Sequence, residues 1–272
     1  MTLALDATRL VAALGPASCR FDIEVLPRCD STNSVVLGRA EAGAPSGTVV
    51  VAEEQTAGRG RRGRAWIAAP GDSLTFSLLW RFTPGTLPMG LSLAVGVAVA
   101  RALEKVGAGD TPQTTSSAPS FCAALKWPND ILLQGKKLGG ILIELVPGTP
   151  HAAVIGIGLN LRLPAVLPLD VRATATALPG AMDNNTLLAA LLTELRSVLS
   201  QFAAGGFGAL RADWLARHAF QDAPVALLSD FSPPRHGICR GVDSDGALLL
   251  EVNGRIERIL SGEISLRAAA PV

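Results

Sequence analysis

The chain has 272 residues, and its 24 Lys+Arg stand against 23 Asp+Glu, a net charge of +1. Apolar residues make up 49% and charged residues 17%, which excludes disorder for the bulk of the chain and leaves length for one large domain plus a small one. The balance also argues against a nucleic-acid binder that works through overall positive charge, and the absence of Tyr has no physical account.

From the start of the chain, Asp6–Leu14 predicts a short helix stopped by Gly15-Pro16. Asp6 and Arg9 interrupt what would be the apolar region of a secretory signal, and the helix is too short for a helix-turn-helix domain. Residues 48–53 (TVVVAE) and 74–80 (LTFSLLW) read as strands. The Gly- and Arg-dense segment between them is a loop. Phe82–Ala100 carries no charge, but Pro84, Gly85, Pro88, Gly90 and Gly96 interrupt it. Its apolar part, Leu91–Ala100, falls short of the ~20 residues a spanning helix needs. Leu91–Val106 therefore predicts a buried helix, with Arg101, Glu104 and Lys105 near its end. The stretch 107–120 (GAGDTPQTTSSAPS) offers almost nothing to bury and reads as a flexible surface insertion.

Strands are predicted over Ala123–Trp127, Asp130–Leu133, Lys137–Leu145 and Ala152–Leu161, with a turn at Gly135. Gly156 and Gly158 inside the last mark a place where something approaches the backbone closely. From Asn185, Leu187, Leu188, Leu191, Leu192, Leu195 and Leu199 recur at helical spacing, with Asn184 or Asn185 as cap and Gly205-Gly206 as stop. Leu210–His218 predicts a second helix. Beyond Asp222 the runs are short and apolar, with turns at Asp245-Gly246 and Asn253-Gly254. This divides the chain into 1–221 and a small barrel at 222–272. The four cysteines, Cys19, Cys29, Cys122 and Cys239, stand far apart with no CxxC and no His at ligand spacing. Reduced thiols in a cytoplasmic protein are the expectation.

The segment Gln55-Thr-Ala-Gly58-Arg-Gly-Arg-Arg-Gly-Arg64 formally contains GxGxxG. A dinucleotide fingerprint opens a helix and is followed ~20 residues later by an acid; here Pro70-Gly71 follows and the positions near 80 read Leu78-Leu-Trp-Arg. Four Arg in the seven residues 58–64 fit a solvated basic loop or an RGG-like nucleic-acid segment. The loop, however, lies between two apolar strands and runs into Trp66-Ile67, which anchors it beside the sheet. Glycine N–H groups and guanidinium forks in such a loop suit a small anionic ligand.

In Lys126-Trp-Pro-Asn-Asp130 and Lys136-Lys-Leu-Gly-Gly-Ile141, Asp130 and Lys137 can face each other across a hairpin. A partly buried Lys beside a carboxylate stays protonated and can sit on a carboxylate or phosphate oxygen. Taken alone, the pair reads as a surface hairpin contact worth well under ~1 kcal/mol.

Together these segments resemble biotin protein ligases. Asp30-Ser-Thr-Asn33, GRGRRGR at 58–64, KWPND at 126–130, KLGGIL at 137–142 and GIGLN at 156–160 occur in that family's order. GALLLEVNG and GEISLR near the C-terminus are similar to its small terminal barrel, so the likeness runs from about Arg28 to Arg267. It implies an α/β fold like the class II aminoacyl-tRNA synthetase core, a mixed sheet with flanking helices, followed by an SH3-like barrel. It also implies ATP-dependent activation of biotin as biotinyl-5′-AMP, then transfer to a lysine of a biotin carboxyl carrier protein.

Carried over by position, the resemblance assigns Ser31, Thr32, Asn33 and Gln55 to the ureido ring of biotin and neighbouring atoms, although Ser-Thr-Asn equally suits a turn or helix cap. Gly58, Arg59, Gly60 and Arg61 correspond to a loop closing over biotin and adenylate, with Arg61 retaining the intermediate. Lys137 contacts the biotin carboxylate and the α-phosphate, and Asp130 is its partner. Gly140, Gly156 and Gly158 give backbone contacts. Arg64, Trp66, Asn129 and Asn160 serve the nucleotide, whose Mg2+ arrives with ATP rather than in a side-chain cluster.

Only about 27 residues precede the matching segment, too few for the DNA-binding domain that some members carry. The expected type is therefore monofunctional, a monomer or homodimer without nucleic-acid or membrane partners. The 107–120 insertion departs from the family pattern. Two rivals stand beside this reading: a lipoate–protein ligase of the same superfamily and a nucleic-acid-binding module built on the Arg loop.

Overall fold

The computed structural model describes residues 5–107, 122–180, 182–229, 233–260 and 264–269. The expected insertion at 107–120 lies outside the described residues apart from Gly107, which ends a helix. In chain order the first elements are α1 (Ala7–Leu14), β1 (Asp22–Cys29), α2 (Thr32–Glu41), β2 (Thr48–Gln55), β3 (Ser73–Arg81) and α3 (Leu91–Gly107). They are followed by β4 (Ala124–Lys126), β5 (Asp130–Leu133), β6 (Lys136–Val146), β7 (Thr149–Asn160), α4 (Leu169–Thr174), α5 (Asn184–Gly205) and α6 (Arg211–Leu215). The chain ends in β8 (Pro224–Ser229), β9 (Arg235–Val242), β10 (Leu248–Val252), β11 (Arg255–Ile259) and β12 (Ile264–Ala268).

The first seven strands form one mixed sheet in the order β1-β2-β3-β7-β6-β5-β4, parallel between β1 and β2 and antiparallel elsewhere. Both faces are covered, which is why β2 is apolar without alternation. Val50 packs with Val36 and Ala40 of α2, while its neighbours Val49 and Val51 face the larger core that holds α3 and α5. By length and composition α5 would pass for a membrane span. Its Leu187, Leu188, Leu191, Leu192, Leu195 and Leu199 are instead wholly buried, so the apolar stripe is spent on the core. The last five strands form a second, antiparallel sheet in the order β11-β10-β9-β8-β12. It abuts the first unit through Trp127 Nε1, which donates to Gly246 O at 3.0 Å, and Arg211 Nε, which donates to Val242 O at 2.7 Å.

Three sequence expectations are corrected. The cap of α5 is Asp183, whose carboxylate accepts from the Asn185 and Thr186 amides; a carboxylate satisfies the two orphan donors better than either Asn. The helix expected over Leu210–His218 is a 3-10 turn, Phe207–Leu210, followed by the five-residue α6. It stops because the following backbone adds beside β4: Leu125 N donates to Arg217 O at 2.7 Å and Ala219 N to Leu125 O at 2.9 Å. The elements β1, α2 and α4 were not expected. Pro27 and three charges obscure the alternation of β1, and α2 carries Asn33, Ser34, Gly38 and Arg39 among few apolar residues.

Candidate active site

A cavity of about 790 Å3 opens where the ends of β1, β2 and β7 meet the β4–β6 hairpins and β12. Every residue singled out in the sequence lines it except Gly58. Gly58 lies behind the wall, where a Cβ would come within 3.0 Å of Trp66 O; it lets the loop fold back on itself.

One end of the cavity is neutral and polar. Gln55, at the end of β2, accepts from Thr32 N at 2.8 Å and Thr32 Oγ1 at 3.2 Å, so Gln55 and not Ser31 supplies the side-chain cap of α2. Ser31 holds the cap position without a side-chain capping bond. The Ser77 hydroxyl of β3 lies 2.7 Å from Thr32 Oγ1 and 2.6 Å from Asn33 Oδ1. Asn33 Nδ2 donates to Glu144 Oε2 at 2.7 Å. Asn33 can sit there only because Gly156 has no side chain: a Cβ would stand 2.2 Å from its Oδ1. Gly158 is likewise covered by the Trp66 indole, 2.8 Å from where a Cβ would be. The close approach read into these glycines is thus made by two of the chain's own side chains.

The Arg loop is a short ribbon. Trp66 N donates to Gly58 O at 2.9 Å and Gly60 N to Arg64 O at 2.7 Å, around a 3-10 turn at Arg61–Gly63. Arg62 takes the left-handed conformation, φ 62°. Arg59 pairs with Glu144 at 3.1 Å, and Arg61 Nη1 donates to Asn129 Oδ1 at 3.3 Å. The indole Nε1 of Trp66 is a buried donor with no partner among the described residues.

The other end is cationic. The Asp130 carboxylate accepts from Lys126 Nζ at 2.7 Å and Lys137 Nζ at 2.6 Å. Burial pushes the Asp130 carboxyl up, but the two ammoniums outweigh it and hold it below the ordinary range. Burial also draws Lys126 down, with Asp130 opposing, and does the same to the Arg61 guanidinium. Arg64 and Arg267 line the same cavity. Asn129 Nδ2 donates to Ile141 O at 2.9 Å, and Asn160 Nδ2 donates to Thr176 O at 2.9 Å, which fastens segment 175–178 to the end of β7 beside its bridge to Lys137 of β6. Gly140 lies beside the Lys137 side chain, whose Nζ would be in ordinary contact, 3.5 Å, with a Cβ there.

Lys126, Ser77, Glu144 and Arg267 were missed as site residues. Lys126 had a signal in the sequence: four residues before Asp130, across a Pro-containing turn, it must return opposite that carboxylate. Ser77 and Arg267 sit on strands whose place in the sheets no local pattern reveals.

Residues 25–160 match the model described as Biotin/lipoate A/B protein ligase family, and residues 232–267 match Biotin protein ligase C terminal domain. The Bifunctional ligase/repressor BirA of Escherichia coli is 39% identical over 271 residues, 97% of this chain and 79% of that protein. The Biotin--[acetyl-CoA-carboxylase] ligase of Mycobacterium tuberculosis is 34% identical over 258 residues, 92% of this chain and 91% of that protein. A solved structure, biotin protein ligase from Aquifex aeolicus in complex with biotin and ATP, superposes with a TM-score of 0.76 at 29% identity, covering 91% of this chain and 99% of that one.

Proposed function

The chain belongs to the biotin protein ligase family, and from that premise we propose that it is an ATP-dependent ligase that activates biotin and transfers it to a lysine of a biotin carboxyl carrier protein. In the first step a biotin carboxylate oxygen attacks the α-phosphorus of ATP; the P–O bond to pyrophosphate breaks and biotinyl-5′-AMP forms. In the second the carrier amine attacks the acyl carbon, loses a proton, and AMP departs.

The observation that carries this reading is the polarity of the cavity. Hydroxyl and amide groups of Ser31, Thr32, Asn33 and Gln55 line one end, and Lys126, Lys137 and Arg61 gather around one carboxylate at the other. The first end suits an uncharged ureido ring. The second suits a carboxylate approaching a phosphate, where two anions must be brought together against their repulsion. Lys137 is the group that bridges them, Asp130 presets its ammonium, and Arg61 holds the mixed anhydride until the carrier docks. Arg64, Trp66, Asn129 and Asn160 face the nucleotide. Gly58 and Gly60 shape the loop on which Arg59 and Arg61 ride, Gly156 and Gly158 keep the floor low enough for Asn33 and Trp66, and Gly140 offers its backbone beside Lys137.

Magnesium is read as part of the substrate, Mg–ATP. Asp130 already carries two ammonium partners, and among the described residues no three His, Cys, Asp or Glu gather to hold a metal. The reading places residues 1–221 in the biotin- and ATP-binding unit and 222–272 in the terminal β unit. It also takes the protein to be cytoplasmic, a monomer or homodimer, with a carboxylase carrier domain and no nucleic acid as partner. The test is incubation of the protein with a carrier domain, ATP and biotin or lipoate, read by the mass of the carrier. A biotin-sized increment with ATP is expected; lipoyl addition, or no addition, would overturn the reading.

A further inference from the structure

We infer that Lys126 is a positioning residue for adenylation: its fixed pairing with Asp130 lets Lys137 leave that carboxylate and move onto the substrates. This rests on the reading of the cavity as an adenylating site. The two lysines differ in how they reach Asp130. Lys126 stands directly opposite Asp130 in the β4–β5 register, and its side chain is 10% exposed. Lys137 stands opposite Leu132, beyond an irregularity in the β5–β6 pairing, and its side chain is 41% exposed. It reaches back to Asp130 diagonally. Lys126 is therefore the resident partner and Lys137 the visiting one. Were Lys137 alone, its departure would strand a buried carboxylate, 14% exposed, without a counter-charge, and that stranding opposes the movement. With Lys126 in place, Asp130 stays neutralised throughout and Lys137 is set loose.

The test is a cycle of Lys126→Met, Asp130→Asn and both together, with Lys126→Arg as the charge-keeping control and Lys126→Gln should the Met variant not fold. Two readouts are taken. The first uses no substrate: acetic anhydride labelling of Lys137, followed by peptide mass spectrometry. Lys126→Met should slow labelling about tenfold, because Lys137 then holds the carboxylate alone and spends less time free of that ion pair, where the reagent can reach it. The double variant should label as fast as Asp130→Asn. Unchanged labelling in Lys126→Met would overturn the inference. The second is biotin-dependent pyrophosphate exchange. Lys126→Met should lower kcat about ten- to a hundredfold with KM for biotin within about twofold, and should have no further effect once Asp130 is Asn. An equal loss in both backgrounds would mean that Lys126 touches the phosphates itself, which also overturns it. Failure of the unaltered protein to exchange pyrophosphate would instead sink the adenylation reading, while the labelling cycle still decides the coupling.

Discussion

On the proposed reading, the Lys137 ammonium, carried on a half-exposed stem, sits where negative charge grows as phosphorus becomes five-coordinate. Lys137→Ala should therefore lower pyrophosphate exchange by about a hundred- to a thousandfold while the melting temperature stays within a few degrees. Near-normal exchange by the purified variant would remove Lys137 from the chemistry. On the same reading Arg61 acts at a different moment. Its guanidinium is partly buried beside Asn129, and a charge-assisted hydrogen bond to the bound anhydride is worth roughly 1.5–3 kcal/mol. Arg61→Gly should speed loss of the intermediate about ten- to a hundredfold, so albumin added to the reaction becomes biotinylated. If the variant makes adenylate and labels albumin no more than the unaltered protein does, retention belongs to another residue of the loop. The cationic character of the loop was legible in the sequence because charge density is local: four Arg in the seven residues 58–64 need no tertiary structure to be noticed, whereas the roles given to Lys137 and Arg61 came from the family resemblance alone. Glu144, which holds Arg59 and Asn33 together, was not legible, since a single acid in an apolar strand reads as an outward-facing residue.

The strand β7 shows how an element can be built around a neighbour's side chain. Gly156 pairs with Ser77 on one side and Leu142 on the other, and the Asn33 amide fills the space its missing Cβ leaves. Gly156→Ala should displace Asn33 from Ser77 and Glu144, because a Cβ at 2.2 Å from Oδ1 cannot be accommodated without movement. Overpacking of this kind costs about 1–3 kcal/mol, and KM for biotin should rise about tenfold or more with a smaller change in the KM for ATP. An unaltered KM for biotin would show that Asn33 does not shape the ureido end. The glycines were visible in the sequence, but what approached them was not, because Asn33 and Trp66 come from elements far away in the chain. The same physics explains which elements could be read. Thr48–Ala52 and Leu74–Leu79 are buried on both faces and announce themselves by composition. The strand β1, exposed at the sheet edge, is half polar and looks like a loop, and α2 follows it with Asn, Ser and Gly where a helix signal would be sought.

At the scale of the molecule, the order β1-β2-β3-β7-β6-β5-β4 is what gathers segments 31–33, 55–66, 126–140 and 156–160 around one cavity, and no local periodicity encodes that order. The second sheet joins the cavity through β12, and the joint between the two units carries its own titratable group. His218 follows α6, pairs beside Leu125 of β4, packs its ring at a tilt against Trp214 with centroids 4.5 Å apart and lies 3.9 Å from the buried Cys239 sulfur of β9. Burial pushes its imidazole down to about 4, against the opposing influence of Gln221 and Asp222. A depressed histidine is neutral in the folded protein while the unfolded chain, with its ordinary value near 6.5, still takes up a proton. The unfolded state thus binds more protons between the two values, and stability falls as the pH drops from about 6.5 towards 4 and levels below that. From the two values the loss between pH 7.5 and 4.5 is about 2.5 kcal/mol. Carboxylates titrate over the same range, so the measurement is a difference: urea unfolding at both pH values for the parent and for His218→Gln. The parent should lose about 2 kcal/mol or more in excess of what His218→Gln loses over the same interval, whatever the stability of that substituted protein at pH 7.5. Equal losses would mean that His218 is protonated in the folded joint, and that the contact with Cys239 and Trp214 tolerates a charge.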